Sequence, residues 1–297
     1  MDVLSVGVIG AGQMGSEIAL VMALAGHHVI ITDADPARAG DVAARLTGLV
    51  SRAADRGLMD RDAGLAAVAR IRAADIPAMA AADLVIEAVW EDFDTKAAIY
   101  RQLDGVMGPE AIIASNTSSI SITSLSGVLP DARRKRFVGT HFFSPASRMR
   151  LVELIGSMDT DPAVLARVRL ILEHAGKEVV PVGDVVGFAI NRALHAFFIE
   201  AIRLVEEGAI TPADMDRACK AGLGHPVGPF ELMDGTKNDL GLQVQDILLQ
   251  HYGERFRAPS LLRKMVSAGY NGRAAGRGWY RYENGRRLVA ANDGGRS

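Results

Sequence analysis

A glycine-rich turn close to the start of the chain constrains the fold more than any other feature of the sequence. The short apolar run at 5–9 leads directly into GAGQMG at 10–15, and apolar residues then recur at helical spacing over 18–25. A strand, a glycine turn and a helix in this order open a βαβ unit. Short β-branched runs go on alternating with longer Ala-rich helical stretches up to about residue 180. The sequence therefore predicts a mostly parallel α/β sheet.

The two parts of the chain carry different patterns. The short apolar runs predict strands at 5–9, 28–32, 69–72, 84–88, 112–115, 137–141 and 178–180. After residue 182 the strand signal ends, and helical periodicity continues at 188–207, 212–221 and 240–252. A proline and two glycines within 181–187 mark the change. We therefore predict a Rossmann-type, mostly parallel sheet domain at 1–183, followed by an all-helical C-terminal domain at 184–297.

The glycine turn has the form of a dinucleotide-binding fingerprint. Gly10 permits the tight turn, Gly12 lets the backbone approach a pyrophosphate, and Gly15 lets the helix pack close to the strand. The anion would then lie at the positive end of a helix. The candidate cofactor contacts in this region are Gly10, Gly12, Gln13, Met14, Gly15 and Asp33.

Asp33, at the end of the second predicted strand, favours NAD over NADP. It lies about 20 residues past the glycines, where a carboxylate can accept hydrogen bonds from the adenosine ribose hydroxyls. The extra phosphate of NADP would meet this charge, and Ala34 and Asp35, not an arginine, come next. The alternative is that Asp33 begins a turn or caps a helix that has Pro36 near its start.

Composition argues against several other classes of protein. The formal net charge is only −2, so the overall charge does not suggest a nucleic acid or a membrane surface as partner. Cys219 is the single cysteine, which excludes a disulfide framework or a thiolate metal cluster within one chain. No apolar run approaches the roughly 18 residues of a membrane span, and a signal-peptide pattern is missing at the start. We predict a cytoplasmic protein without a bound metal.

Polar residues that follow predicted strands are candidates for chemistry. The segment IIASNTSSI at 112–120 ends in small polar residues, and the strand at 137–140 leads to His141. Ligands lie beyond the carboxyl ends of parallel strands, so His141 is well placed to take a hydroxyl proton. Glu153 lies in the apolar run 151–155, where a carboxylate needs a partner such as a histidine. The alternatives are a helix cap for the serines, a packing histidine and a surface glutamate on an edge strand.

Several motifs in a fixed order resemble one known family. They are GAGQMG with Asp33, LVIEAVWED at 84–92 with Lys96, SNTSSI at 115–120, GTHFFSP at 139–145, LVELI at 151–155, GFAINR at 187–192, HPVGPFELMD at 225–234 and GRGWYRY at 276–282. Together they resemble the L-3-hydroxyacyl-CoA dehydrogenases, including the short-chain 3-hydroxybutyryl-CoA type. The resemblance implies NAD-dependent oxidation of an L-3-hydroxyacyl-CoA to the 3-oxoacyl-CoA, or the reverse reduction. It also implies an acyl-CoA partner and a helical second domain that forms a homodimer.

The resemblance further implies roles for single residues. His141 would be the general base and Glu153 its partner, while Ser118 and Asn191 would hold the 3-oxygen and the thioester end of the substrate. A serine hydroxyl and an asparagine amide can stabilise charge that develops on oxygen. Their alternatives are a helix cap for Ser118 and a cap at the domain boundary for Asn191. The remaining implied contacts, beside the cofactor, are Glu91, Lys96 and Asn116.

The sequence departs from the family near two of these residues. Ser144 stands where most short-chain members carry asparagine, and HFFSPA is similar to the dehydrogenase part of multifunctional fatty-acid oxidation enzymes. Val185 and Val186 replace a usual Thr-Pro pair, which removes a rigid turn before Asn191.

The sequence defines the contacts with the substrate less clearly than those with the cofactor. The basic candidates for the CoA phosphates are Arg52, Arg56 and the run at 133–136, each of which could instead be a solvated face. Residues that could line an acyl pocket, or simply belong to the core, are Phe142, Phe143 and Met149.

Two other functions remain open. One is a dehydrogenase of a non-CoA 3-hydroxy acid or of an acyl-carrier-protein thioester. The other is a non-catalytic NAD(H)-binding sensor, which would need the glycine turn but no base. GFAINR supplies no lysine at the matching place for the lysine-using 2-methyl-3-hydroxy acid dehydrogenases.

Overall fold

The computed structural model describes residues 2–288. The chain forms two compact units that divide between Phe188 and Ala189. The division falls a few residues after the predicted 183/184 boundary because Asp184 is held by the first unit. Its carboxylate accepts hydrogen bonds from Ser121 Oγ at 2.8 Å and from the backbone N–H of Ile122 at 2.9 Å. The tail from Asn292 carries Gly294 and Gly295, a composition that predicts a frayed end, and it lies outside the described residues.

The first unit is built on an eight-stranded sheet with the strand order β3-β2-β1-β4-β5-β6-β7-β8. The strands are β1 Ser5–Ile9, β2 His28–Thr32, β3 Ile71–Ala73, β4 Leu84–Glu87, β5 Ile112–Ser115, β6 Phe137–Phe142, β7 Leu151–Gly156 and β8 Glu178–Val182. Neighbouring strands from β3 to β6 pair in parallel, whereas β7 runs antiparallel to β6 and parallel to β8. The prediction of a mostly parallel sheet is confirmed. The apolar run at 151–155, for which an edge strand was the alternative, is an inner strand.

Helices cover both faces of this sheet. They are α1 Gln13–Leu24, α2 Pro36–Gly40, α3 Val42–Asp55, α4 Arg61–Val68, α5 Phe93–Val106, α6 Ile122–Ser126, α7 Asp131–Arg134 and α8 Pro162–His174, with a 3₁₀ turn at Ile76–Ala81. Side chains of Asp60, Asp92 and Asp161 accept hydrogen bonds from the first turns of α4, α5 and α8, which satisfies backbone N–H groups there. Separate apolar clusters pack on the two faces of the strands, so most strands are apolar throughout.

The second unit is helical, as predicted, apart from one small addition. Its helices are α9 Ile190–Glu206, α10 Pro212–Leu223, α11 Pro229–Thr236, α12 Asn238–Tyr252 and α13 Ser260–Ser267, with 3₁₀ turns at Glu254–Phe256 and Arg273–Ala275. The addition is a hairpin of β9 Tyr282–Glu283 and β10 Arg286–Arg287. Asn284 and Gly285 join these strands with φ of 49° and 74°, the backbone that an Asn-Gly hairpin turn requires.

Two sequence motifs serve the fold of the second unit. Asp234, at the end of HPVGPFELMD, accepts hydrogen bonds from Trp279 N at 2.9 Å, Tyr280 N at 3.0 Å and Tyr282 Oη at 2.9 Å. A side chain at Gly278 would collide with this carboxylate, since a Cβ there would lie 2.0 Å from Asp234 Oδ1. The motif at 276–282 is therefore held against α11.

Three features of the described residues bear on other functions. No helix within 2–288 is long and apolar enough to cross a membrane. The same residues contain no group of His, Cys, Asp or Glu side chains arranged to hold a metal ion. Cys219 is buried in α10 as a free thiol.

Candidate active site

The glycine turn has the geometry that a bound pyrophosphate needs. Gly10 adopts φ of 102°, which favours glycine, and a Cβ at Gly15 would lie 1.8 Å from the carbonyl oxygen of Gly10. None of the described residues has an atom within 4 Å of a Cβ built on Gly12. Gly12, the N-cap residue of α1, has no side chain that could cap the helix. The N-terminal end of α1 is thus open to an anion.

Asp33 lies beside this turn. Its Oδ2 accepts a hydrogen bond from Ala11 N at 2.7 Å, and its Oδ1 accepts one from Asp35 N at 3.0 Å. It therefore does begin a turn, but Asp35 caps the following helix, by accepting from Ala37 N. Sequence reasoning missed Arg38, whose Nη1 lies 3.7 Å from Asp33 Oδ1 although it does not directly follow the aspartate in sequence.

His141 and Glu153 form a buried pair. The two residues are directly opposite each other in the antiparallel β6–β7 ladder, and His141 Nδ1 lies 2.8 Å from Glu153 Oε2. His141 is 6% exposed and Glu153 is 1% exposed. Because a carboxylate can only accept, the contact assigns the proton to Nδ1 and leaves the lone pair of a neutral ring on Nε2. Phe143 and Phe188 pack around the ring, with centroid distances of 4.6 and 5.6 Å.

Glu91 organises the small polar residues after β5. Its Oε1 accepts hydrogen bonds from Thr117 Oγ1 at 2.6 Å, Ser118 N at 2.8 Å and Ser119 N at 2.9 Å. Burial raises the pKa of Glu91, but the charge of Lys96 and these hydrogen bonds outweigh burial and bring the pKa below its usual value. The hydroxyl of Ser118 lies 3.3 Å from the same oxygen, a long contact that a better acceptor could replace.

Glu87, which sequence reasoning missed, is the centre of a buried network behind this loop. Lys96 Nζ lies 2.6 Å from Glu87 Oε1 and 3.4 Å from Glu91 Oε2, and the whole lysine is 0% exposed. Tyr100 and Ser115 donate their hydroxyl protons to Glu87 Oε2. Burial, followed by the Glu87 carboxylate, raises the pKa of Tyr100 well above its usual value. A glutamate at the end of the otherwise apolar strand LVIE was the signal for this network.

Asn116 joins two strand ends. Its backbone N–H donates to Glu87 O at 2.7 Å, and its side-chain Oδ1 accepts from Phe142 N at 2.9 Å. The residue after His141 is thereby tied to the end of β5. Asn191, the second residue of α9, is partly buried in the second unit.

The structure separates the three candidates for the CoA phosphates. A groove of about 420 Å³ between α1 and α3 is lined by Arg52, together with Gln13, Ser16, Glu17 and Arg45. Arg56, exposed at the C-terminal end of α3, is not part of this lining.

The arginines at 133–136 serve the fold. Arg133 donates to Asp104 Oδ1 at 2.8 Å and to Ala111 O at 2.7 Å, and Arg134 donates to Leu129 O at 2.7 Å. These guanidinium groups are therefore engaged within the sheet unit.

Comparisons with known proteins agree with this geometry. Residues 5–185 match the family model described as 3-hydroxyacyl-CoA dehydrogenase, NAD binding domain, and residues 187–282 match the C-terminal domain of the same enzyme. The chain belongs to the 3-hydroxyacyl-CoA dehydrogenase family. This dehydrogenase is an NAD-dependent oxidoreductase, and the predicted family, fold class and cofactor are confirmed.

Individual relatives align with almost the whole length of this chain. The 3-hydroxybutyryl-CoA dehydrogenase of Bradyrhizobium diazoefficiens is 39% identical over 279 residues, which are 93% of this chain and 94% of the relative. The crystal structure of (S)-3-hydroxybutyryl-CoA dehydrogenase from Ralstonia eutropha superposes with a TM-score of 0.89 at 37% identity, covering 95% of this chain and 100% of that chain. A solved diketoreductase that acts on dicarbonyl compounds has a TM-score of 0.83 at 28% identity, covering 95% and 100% of the two chains.

Proposed function

We propose that this dehydrogenase interconverts a short-chain L-3-hydroxyacyl-CoA and the corresponding 3-oxoacyl-CoA, with His141 as the general base. The buried His141–Glu153 pair is the observation that carries the proposal, because a binding protein has no need of it. The short chain is supported by the relatives named 3-hydroxybutyryl-CoA dehydrogenase. The helical unit would form the homodimer, and the protein would act in the cytoplasm.

In the oxidation direction, Nε2 of His141 takes the proton of the 3-hydroxyl group. NAD held by the glycine turn and Asp33 would supply the acceptor for the hydride that leaves C3. Glu153 holds the ring through Nδ1 and stabilises the imidazolium that forms, since the pair then carries opposite charges. In the reduction direction, the same nitrogen returns the proton to the 3-oxygen.

Other side chains would hold the reactants. The backbone at Gly12 and the first turn of α1 fit the pyrophosphate, and Asp33 fits the adenosine ribose. Ser118 would donate to the 3-oxygen in exchange for its long contact with Glu91, and Asn191 would hold the thioester end. The ammonium of Lys96 is buried, so we assign it the role of fixing Glu91 and not a direct contact with the cofactor.

Three further contacts complete the proposed site. The carboxamide of Asn116 would lie beside the cofactor at the end of β5, where its oxygen also fixes the backbone after His141. The groove between α1 and α3 offers Arg52 to the CoA phosphates, and Arg56 would reach them only from outside this groove.

Oxidation of NADH with acetoacetyl-CoA tests the proposal. Replacing His141 with alanine should lower kcat by about 100-fold, because general base catalysis contributes roughly that much or more. His251→Ala, at an exposed histidine on α12, is the control and should leave the rate unchanged. Full activity of His141→Ala, or binding of NADH without turnover of any acyl-CoA, would contradict the proposal.

A second candidate function is reduction of a substrate without CoA. The structural likeness to the diketoreductase favours it, since that enzyme acts on dicarbonyl compounds. Comparing acetoacetyl-CoA with free acetoacetate, a simple β-diketone and an acyl-carrier-protein thioester separates the two. A higher kcat/KM for a substrate without CoA would favour this second function over the first. An NAD(H)-binding sensor would turn over none of them.

A further inference from the structure

The turn that joins β6 and β7 lies between two charged side chains from other parts of the first unit. This hairpin turn, residues 143–150, links the strand that ends near His141 to the strand that carries Glu153. Glu17 reaches the turn from α1, and Lys177 reaches it from the segment before β8. Both side chains thus contact the turn that connects the two strands of the His141–Glu153 pair.

Glu17 contacts the turn through Ser147. Its Oε2 accepts hydrogen bonds from Ser147 N at 3.0 Å and from Ser147 Oγ at 2.8 Å, and the glutamate is only 4% exposed. Lys177 Nζ donates to Ala146 O at 2.6 Å and to Met149 O at 2.9 Å. Burial lowers the pKa of Lys177, while the charge of Glu17 partly opposes that shift.

The contact from Glu17 is costly to break. A hydrogen bond to a charged acceptor is about twice as strong as a neutral one, and Glu17 has two such donors on one residue of the turn. A buried carboxylate that lost both donors would carry an uncompensated desolvation penalty. Separating helix α1 from the turn would therefore be unfavourable.

Glu17 also belongs to the helix whose N-terminal end faces the cofactor site. It lies one turn after Gln13, the first residue of α1, and Gln13 Nε2 is 3.5 Å from Glu17 Oε1. Glu17 thus contacts both the first turn of α1, through Gln13, and the hairpin turn, through Ser147.

We infer that Glu17 is a positioning residue that couples dinucleotide binding at α1 to the placement of the His141–Glu153 hairpin. The kinetic part of this inference rests on the proposed function. The coupling itself does not, because it concerns only NADH and the first unit. Ser147 is the residue through which the coupling passes.

Steady-state kinetics with acetoacetyl-CoA and NADH test the positioning role. Glu17→Ala should lower kcat about tenfold, since small misplacements of a catalytic group are expensive. Because coupling is reciprocal, the variant should also bind NADH up to about tenfold more weakly. Glu17→Gln keeps an acceptor oxygen and should restore most of kcat.

A matched control separates positioning from plain stability. Asp216→Asn alters a carboxylate of the second unit that is 1% exposed and accepts from Phe230 N at 2.8 Å and Glu231 N at 3.1 Å. It should lower Tm and leave kcat unchanged. If Glu17→Ala behaves like Asp216→Asn, Glu17 is merely structural and the inference is wrong.

Hydrogen exchange gives a readout that needs no acyl substrate. In the unaltered protein, saturating NADH should slow exchange of the Ser147 amide about tenfold, because the bond to Glu17 becomes more ordered. In Glu17→Ala, NADH should have no effect on this amide. Equal protection by NADH in both proteins would overturn the coupling. Coupling without turnover of any acyl-CoA would instead contradict the proposed function alone.

Discussion

His195 makes the stability of the helical unit depend on pH. The residue lies in α9, is 6% exposed, and has a buried Nδ1 without a hydrogen-bond partner among the described residues. Burial lowers its pKa from 6.5 to about 4, because the charged ring would have little solvent to stabilise it. The native state therefore binds the proton more weakly than the unfolded chain does.

The sign and size of the effect follow from this difference. Well above pH 6.5 the histidine is neutral in both states, so nothing is lost there. As the pH falls from 6.5 towards 4, the unfolded state takes up a proton that the native state refuses, and the free energy of unfolding decreases. At pH 5 the loss is about 2 kcal/mol relative to pH 8, and the full loss at lower pH approaches about 3 kcal/mol.

Urea unfolding of the helical unit at pH 5 and pH 8 measures this loss. Trp279 is the reporter, because it packs on Phe230 at 4.6 Å in the core of that unit. Trp90, the other tryptophan of the chain, is replaced by phenylalanine in every sample. We expect His195→Leu to remove about 2 kcal/mol of the difference between the two pH values. An unchanged difference in His195→Leu would refute the reasoning. His27 lies in the first unit, where burial and then His174 lower its pKa, so it should not affect this signal.

Three further changes have defined outcomes. Glu153→Gln keeps the shape of the pair but removes the charge that stabilises the imidazolium, so kcat with acetoacetyl-CoA should fall at least about 100-fold; a loss below threefold would contradict its role. Gly15→Ala places a Cβ 1.8 Å from the Gly10 carbonyl oxygen, so NADH affinity measured by fluorescence should fall more than about tenfold, and unchanged affinity would contradict the assigned geometry. Glu87→Gln replaces the charged partner of the buried Lys96 with a neutral amide, so the free energy of urea unfolding should fall by about 3 kcal/mol. A decrease under about 1 kcal/mol would show that the network is not stabilising.

The parallel part of the sheet could be predicted because its strands are separated by helical patterns. The direction of β7 could not be read from its apolar residues, since apolar runs look the same in either direction. The link at 143–150 contains the missing signal. A parallel crossover needs about a dozen residues or more, so a link this short requires an antiparallel neighbour. The length of the link alone therefore favours a pairing in which Glu153 can lie opposite His141.

The residues proposed to react could be predicted from the sequence more readily than the residues that hold them in place. His141 and Glu153 were found because each is conspicuous in an apolar strand. Glu17 gave no such signal, because its partner Ser147 is distant in sequence and α1 already had an apolar explanation. Arg45 was missed for the same reason: it lies on α3 and donates to Ser16 Oγ at 3.0 Å beside the glycine turn.

The strand ends show why the support matters for the proposed reaction. The backbone N–H of Asn116 is bonded to Glu87 O, and the side chain of Asn116 accepts from Phe142 N. The carboxyl ends of β4, β5 and β6 are therefore joined in one row of hydrogen bonds. Ser118 follows the middle of this row, and His141 lies at its end. A group that donates to the 3-oxygen and a base that removes the proton from it must keep a fixed separation, which loops alone do not provide. Anchoring both to adjacent strand ends supplies that fixed separation.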